Sequence, residues 1–500
     1  MSLFQGEFPP LREFQASAHE SIRQAAREGH RKICVSAPTG SGKSILALNV
    51  IRETLGKGRT AMFLADRKTL IAQTSNVARD VGLGYHGIIQ ADNPMMDLSR
   101  PFQIASCQTL MRRGWPKFDV IVIDECHSQY KTWVDYINSD ECKSFVIGLT
   151  ATAFSKGMGR TWTKLVNAAT MSELTDQGIL VPMRIFSCRK PDMSGATVKA
   201  GGEWSDDSAE TAEMALIGDV LTEWQKFAAD RKTIVFGPTI AYCEDLCKRF
   251  NAAGVPAAVF CSDTPDDDRA RITSDFEHGF VRVLISVEAL AKGFDQKDVG
   301  CVCDCRPLRK SLSTAIQMWG RGLRSCPEKV KKDCILLDFS GNILRFWDDF
   351  ERVYHEGVDR LDDGEKLDRT VREDKDEEPK ACPKCGHKPF GRKCVSCGFE
   401  IERKSLVEER PGEMQEIRIG KKVLATDKAD LWAQLATYSR DHAKPGKDPH
   451  KRALALYHDI TGTWPPRDWH VSNAPDIPPT AATLGKIRSM CIAFAHRRAA

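Results

Sequence analysis

The segment Ala37-Pro38-Thr39-Gly40-Ser41-Gly42-Lys43-Ser44 constrains the fold more than any other stretch of the chain. It follows the strand-length apolar run Ile33-Cys34-Val35-Ser36 and opens a helical stretch from Lys43 to Leu55. A strand, a glycine-bearing turn and a helix in that order make a cradle for phosphate. Gly40 and Gly42 let the backbone curl so that N–H groups, including those of Thr39 and Ser41, point inward at phosphate oxygens. Lys43 brings a mobile positive charge to the terminal phosphates, and the Ser44 hydroxyl suits Mg²⁺. Ala37 stands where the usual pattern has glycine. Downstream, Val120-Ile121-Val122-Ile123 runs into Asp124-Glu125-Cys126-His127. An acidic pair at the carboxyl end of a parallel strand lies beside such a loop. Asp124 can then hold Mg²⁺ through water, while Glu125 orients and deprotonates an attacking water.

Two series of apolar runs alternate with amphipathic stretches, the pattern of α/β domains with parallel sheets. The first contains Ile33–Ser36, Thr60–Leu64, Phe102–Ala105, Val120–Ile123 and Phe145–Leu149. The second contains Thr233–Phe236, Ala257–Phe260, Val281–Ile285, Cys301–Cys303 and Cys334–Leu337. With 500 residues the chain is too long for one ordinary core. A formal net charge of +4 permits nucleic-acid binding without announcing it, so any basic surface is local. Met1 to Pro10 does not read as a secretory signal, and no apolar run is long enough to span a bilayer. Eighteen cysteines in such a chain read as thiols and metal ligands, which implies a reducing cytoplasmic setting and no membrane partner.

The order of motifs resembles superfamily II helicases of the DEAD/DEAH class. Asp124-Glu125-Cys126-His127 after Pro38-Thr39-Gly40-Ser41-Gly42-Lys43-Ser44 carries the resemblance. Leu11-Arg12-Glu13-Phe14-Gln15 looks like the family's adenine-reading element, which assigns Arg12 and Gln15 to the nucleotide. Ala65-Asp66-Arg67 and Cys107-Gln108-Thr109-Leu110 sit where the family grips a strand backbone. Leu149-Thr150-Ala151-Thr152-Ala153 looks like the element linking ATP state to domain movement. Ala291-Lys292-Gly293-Phe294-Asp295 resembles motif V and places Gly293 and Asp295 near the nucleotide. Gln317-Met318-Trp319-Gly320-Arg321-Gly322-Leu323-Arg324 resembles motif VI, with Gln317, Arg321 and Arg324 as catalytic candidates. Guanidinium groups from the opposite domain can meet the charge that spreads over the γ-phosphate only when the cleft closes.

The resemblance implies two tandem RecA-like domains, residues 1–186 and 187–345, the second entered through an excursion at 187–230. ATP and Mg²⁺ would bind in the cleft, with DNA favoured over RNA as the partner. Gly178-Ile179-Leu180-Val181-Pro182 and Pro191-Asp192-Met193-Ser194-Gly195 look like the RadD-like helicases, including phage versions. That subfamily implies a bacterial or phage-infected cytoplasm and a replication or repair protein as a further partner.

Residues 346–380 are dense in charge and read as a solvated linker. Cys382-Pro383-Lys384-Cys385 and Cys394-Val395-Ser396-Cys397 then form two knuckles, the arrangement of a tetrahedral Zn²⁺ ribbon over 381–400. So small a segment has almost no apolar core, and the metal would supply its folding energy. Cys301, Cys303 and Cys305 alternate along a strand and read as small core residues. Residues 401–500 read as a helical accessory region in which Leu431, Trp432, Leu435 and Tyr438 form a buried face. Lys444, Lys447, Lys451, Arg452 and Trp464 fit either a nucleic-acid contact or plain surface charge. Two rival functions stay open. One is a translocase that moves on duplex without opening it, and the other is a binding protein switched by ATP.

Overall fold

The computed structural model describes residues 8–155, 157–187, 215–217, 219–261, 264–287, 294, 296–308, 311–362, 381–386, 396–399, 408–410, 414–417, 419, 428–442, 448–461, 464–466, 469–479, 483–484 and 487. Among these, the first parallel sheet contains β1 (Lys32–Ser36), β2 (Ala61–Ala65), β3 (Gly87–Ile89), β4 (Phe102–Ser106), β5 (Val120–Ile123), β6 (Phe145–Thr150) and β7 (Lys164–Asn167). Its order is β3-β4-β2-β5-β6-β1-β7. β1, which feeds the phosphate loop, is therefore flanked by β6 and β7, and the order reverses around it. Strands β2, β4 and β5 are buried along their whole length, as continuous apolar runs in a parallel sheet require.

One apolar cluster contains Ile33, Val35, Leu48, Phe63 and Ile147 together with helix residues Ala18, Ile22 and Ile51. The other gathers Cys34, Ile121, Trp133 and Trp162. Because alternate strand residues point to opposite faces, these clusters lie on the two sides of the sheet.

The chain then forms β8 (Met183–Ser187), β9 (Ala215–Ile217), β10 (Thr233–Phe236), β11 (Ala257–Val259), β12 (Val283–Ser286), β13 (Cys301–Asp304), β14 (Cys334–Asp338), β15 (Glu408–Arg410) and β16 (Gln415–Ile417). The second sheet has the order β11-β12-β10-β13-β14-β8-β16. All its neighbours are parallel except β16, which runs antiparallel to β8. The expected domain boundary at residue 186 thus falls inside a strand of this sheet, because Met183–Ser187 pairs with Cys334–Asp338. The core here contains Trp224, Val235, Phe250, Ile285 and Leu337, and Cys301, Cys303 and Cys305 pack within it as small apolar side chains.

Past residue 345 the helix Asn342–Glu356 continues, so the first part of the expected linker is helical. Residues 363–380 lie outside the described residues. The chain divides into two compact units, residues 1–418 and 419–500. In the second unit the helices Lys428–Asp441 and Pro449–Thr461 bury Leu431, Trp432, Leu435 and Tyr457 in a small core. No helix among the described residues is long and apolar enough to cross a membrane.

Candidate active site

The loop at 37–42 is anchored by its first residue. Ala37 is buried, and its N–H donates to the Thr150 carbonyl at 3.0 Å, extending the β1–β6 ladder by one rung. Gly40 (φ +84°) and Gly42 (φ +90°) occupy the left-handed region that L side chains rarely adopt. Gly42 also precedes the first turn of the helix Lys43–Gly56, which aims its free N–H groups at the loop. The Lys43 ammonium donates to the carbonyls of Ala37 at 3.0 Å and Pro38 at 3.3 Å. Burial lowers its pKa, while the carboxylates of Glu125 and Asp124 act the other way. Ser41 Oγ, in the same loop, is buried with no hydrogen-bond partner. Glycine conformation, helix N-terminus and orphaned hydroxyl together fit a bound triphosphate.

Gln15 closes the loop from the N-terminal side. Its side-chain amide donates to the Gly42 carbonyl at 3.0 Å and the Ser41 carbonyl at 3.5 Å, while Oε1 accepts from the Arg12 N–H at 2.9 Å. Gln15 is buried, whereas the Arg12 side chain is exposed. The pair expected to read adenine therefore also ties the first helix to the phosphate loop.

β5 delivers the acidic pair. Asp124 is pushed up to about 7, first by burial and then by the charge of Glu125, with Lys43 opposing. Asp66, whose Oδ2 accepts from the Tyr130 hydroxyl at 3.0 Å, adds to that negative field. Crowded carboxylates beside a phosphate cradle are a donor set that fits a divalent cation, with Asp124 and Ser44 as the side chains to hold it. Glu125 Oε2 lies 3.2 Å from His127 Nδ1, which also faces Thr150 Oγ1 at 3.1 Å.

The second domain meets this face directly. The Gln317 amide donates to His127 Nε2 at 2.8 Å, and Ser313 Oγ donates to Thr152 Oγ1 at 2.8 Å. A side chain therefore joins Glu125 to the helix Leu312–Trp319 of the opposite domain through one imidazole. A Cβ placed on Gly40 would sit 2.8 Å from Arg324 Cγ, and one on Gly320 would sit 2.9 Å from Thr39 Cβ. Arg324 thus lies across the phosphate loop. Arg321 is buried and donates to the Phe294 carbonyl at 2.7 Å, and Arg324 approaches the same oxygen at 3.5 Å. Gly293 and Asp295, expected near the nucleotide, lie outside the described residues, although Phe294 between them is placed here.

Sequence reasoning missed Ser313 and the Phe294 carbonyl. Neither carries a signal in one dimension, because each contact exists only once the chain segments are packed together.

Further along, the Sγ atoms of Cys382, Cys385 and Cys397 lie within 4.8 Å of one another, and those of Cys382 and Cys397 are 3.7 Å apart. Three convergent thiols fit a tetrahedral metal site. Cys394, the expected fourth ligand, lies outside the described residues.

Comparison with known proteins agrees with the two-domain fold. Residues 8–155 match the family described as type III restriction enzyme, res subunit, and residues 214–326 match the helicase conserved C-terminal domain. A 51.5 kDa protein of a Lactococcus phage is 26% identical over 74% of this chain and 79% of its own length. A Saccharomyces cerevisiae protein named as the ATP-dependent helicase IRC3 is 28% identical over 67% of this chain, which spans only 52% of that protein. Among solved structures, a fragment of an HsdR subunit of a type I restriction enzyme from Vibrio vulnificus is 20% identical. It superposes with a TM-score of 0.52, covering 71% of this chain and 68% of that one, and shows the same fold. With both conserved domains present in order, the chain belongs to superfamily II of the ATP-dependent helicases.

Proposed function

We propose that the protein hydrolyses ATP between its two parallel-sheet domains and uses the cycle to translocate on DNA and separate its strands. The observation that carries this is the side-chain path Glu125–His127–Gln317, which joins the water-activating position of one domain to the helix that leads into the arginine-bearing turn of the other. Thr39, Gly40, Ser41, Gly42, Lys43 and Ser44 hold the phosphates, and Arg12 and Gln15 serve the base. Asp124 and Ser44 would hold Mg²⁺, which supplies positive charge against the phosphates. Glu125 takes the proton of the attacking water. Arg321 and Arg324 stabilise the charge that develops on the γ-phosphate, and they can do so only when the cleft is shut. Gly293 and Asp295 extend the second domain's share of the site. The first-domain match to a restriction-enzyme subunit supports DNA as the substrate to test first.

ATP turnover is measured with single-stranded DNA, duplex DNA and RNA for the natural chain, Lys43→Ala and Glu125→Gln. DNA should raise turnover, and both substitutions should abolish it. Turnover that ignores every nucleic acid, or survives both changes, rejects the motor. A strand-displacement assay separates unwinding from translocation on intact duplex. The second part of the proposal is a Zn²⁺ ion held by Cys382, Cys385, Cys394 and Cys397, supported by the three converging thiols.

A further inference from the structure

The arginine-bearing turn is held from two sides. On one side lies the segment that joins the domains. The Val181 N–H donates to the Leu323 carbonyl at 2.8 Å, and Ser325 Oγ donates to the Ile179 carbonyl at 3.0 Å. On the other side lies a single lysine. The Lys331 ammonium donates to the carbonyls of Gly322 at 2.7 Å, Arg324 at 2.8 Å and Lys297 at 3.1 Å. An ammonium has three N–H donors and no acceptor, so three carbonyls use it fully. Two of those carbonyls belong to the arginine turn, and the third follows the Phe294 segment on which both arginines rest. Val330, immediately before, has φ +49°, a conformation that β-branched residues seldom adopt. Val330 itself is exposed, so the turn places Lys331, not a core side chain, against the protein.

We infer that Lys331 is a positioning residue for hydrolysis: by clamping Gly322, Arg324 and Lys297 together it fixes where Arg321 and Arg324 meet the phosphate loop. This rests on the proposed role of the two arginines. Lys331 touches no reacting atom, and its effect passes through the turn it holds.

The charge of the clamp is labile. Burial lowers the Lys331 pKa to about 8, with Arg324 pressing the same way while Asp298 and the thiols of Cys334 and Cys326 oppose it. Deprotonation leaves two N–H groups for three carbonyls and turns a lone pair towards an oxygen. The clamp therefore holds below about pH 8 and slackens as pH rises through it.

The test is the pH profile of kcat for ATP in the natural protein, Lys331→Arg, Lys331→Met and Arg321→Ala. Loss of one charged hydrogen-bonding group predicts about a tenfold lower kcat for Lys331→Met, with KM for ATP changed by less than about twofold. The natural protein should lose rate above about pH 8. Lys331→Arg, whose guanidinium stays charged, should restore most of the rate and abolish that alkaline decline. An alkaline decline that persists in Lys331→Arg belongs to another group, such as the buried Lys43, and overturns the inference. So does a Lys331→Met protein that turns over at the natural rate. Should Lys331→Met fail to fold, the Lys331→Arg profile decides alone. Arg321→Ala separates the two claims: if it keeps full turnover, the arginine assignment fails, whereas its collapse beside indifferent Lys331 variants rejects only the clamp.

Discussion

Glu125 has φ +48° and ψ +45°, a left-handed backbone that costs a non-glycine residue about 1–2 kcal/mol. The strain turns the chain sharply off β5 and brings the carboxylate to His127, so local stability is given up to make that corner. Gly320 shows the complementary case. Its own backbone is ordinary (φ −62°, ψ −15°), so alanine would fit its helical turn without strain. Yet the added methyl would meet Thr39 Cβ at 2.9 Å across the cleft. Gly320→Ala should therefore leave Tm within about 2 °C, since no core packing or cap is lost. Its ATP turnover should drop at least about tenfold, because the two faces can no longer close. Calorimetry and steady-state kinetics on the same preparation check this, and normal turnover would show that the close approach is not needed. Much of this scale was legible in the sequence. Lys43, Asp124 and Glu125 announce themselves by spacing from a strand and a helix. Gly320 reads as glycine for an unknown reason until Thr39 is placed against it.

At the scale of elements, legibility followed burial. β1, β2, β4, β5 and β6, and then β10, β12, β13 and β14, are apolar runs because both faces of a parallel sheet are covered. Of the edges only β11, half-buried and still apolar, was read; β3, β7 and β16 escaped notice. β16 is Gln415-Glu416-Ile417, exposed on two of three residues, and its place comes from the antiparallel ladder to β8 and an Arg184–Glu416 ion pair at 3.0 Å. Equally hidden was how the ends of β13 and β14 hold two helices. Asp304 and Asp338 are opposed across the ladder and fully buried. Asp304 Oδ2 accepts from Trp319 Nε1 and Asn342 Nδ2, each at 2.9 Å. Asp338 accepts from the N–H groups of Ser340, Asn342 and Ile343. Burial first, and then the charge of Asp338, pushes Asp304 up to about 7. The folded protein thus holds a proton that the unfolded chain releases near the ordinary carboxylate value. That contribution is full below about pH 4 and fades as pH rises through about 7. Tm of the natural protein should accordingly fall more steeply than that of Asp304→Asn between about pH 5 and about pH 8. Parallel melting curves across that range would place the shared proton elsewhere.

At the scale of the whole molecule, the charged stretch after the second domain behaves unlike a free linker over the part that is described. The helix Asn342–Glu356 ends at Gly357, and the following residues return to the first domain. Val358 joins the apolar cluster of Trp133 and Trp162, and its carbonyl accepts from Asn167 Nδ2 at 2.6 Å. The Gly159 N–H donates to the Asp362 carbonyl at 2.7 Å. Farther on come the clustered thiols of Cys382, Cys385 and Cys397, and then β16 completes the edge of the second sheet. One passage of chain therefore leaves the second domain, fastens to the first, brings three thiols together and fastens again to the second. Sequence could not show this, because Val358 and Leu361 are isolated apolar residues in a charged run and only the facing tryptophans give them meaning. A three-residue edge strand contributes little by itself, so its stability should depend on the fold of the knuckles before it. If Zn²⁺ supplies that fold, its removal should be felt at the sheet edge and not at the phosphate loop. Hydrogen exchange after chelation, or in Cys382→Ser, should speed up at 183–187 and 415–417 while 33–47 keeps its protection. Metal content measured on the same samples fixes whether the ion has gone. Unchanged exchange at 415–417 in protein proven free of metal would mean that β16 is held by its ladder to β8 alone, and that the knuckles serve a partner instead of the motor.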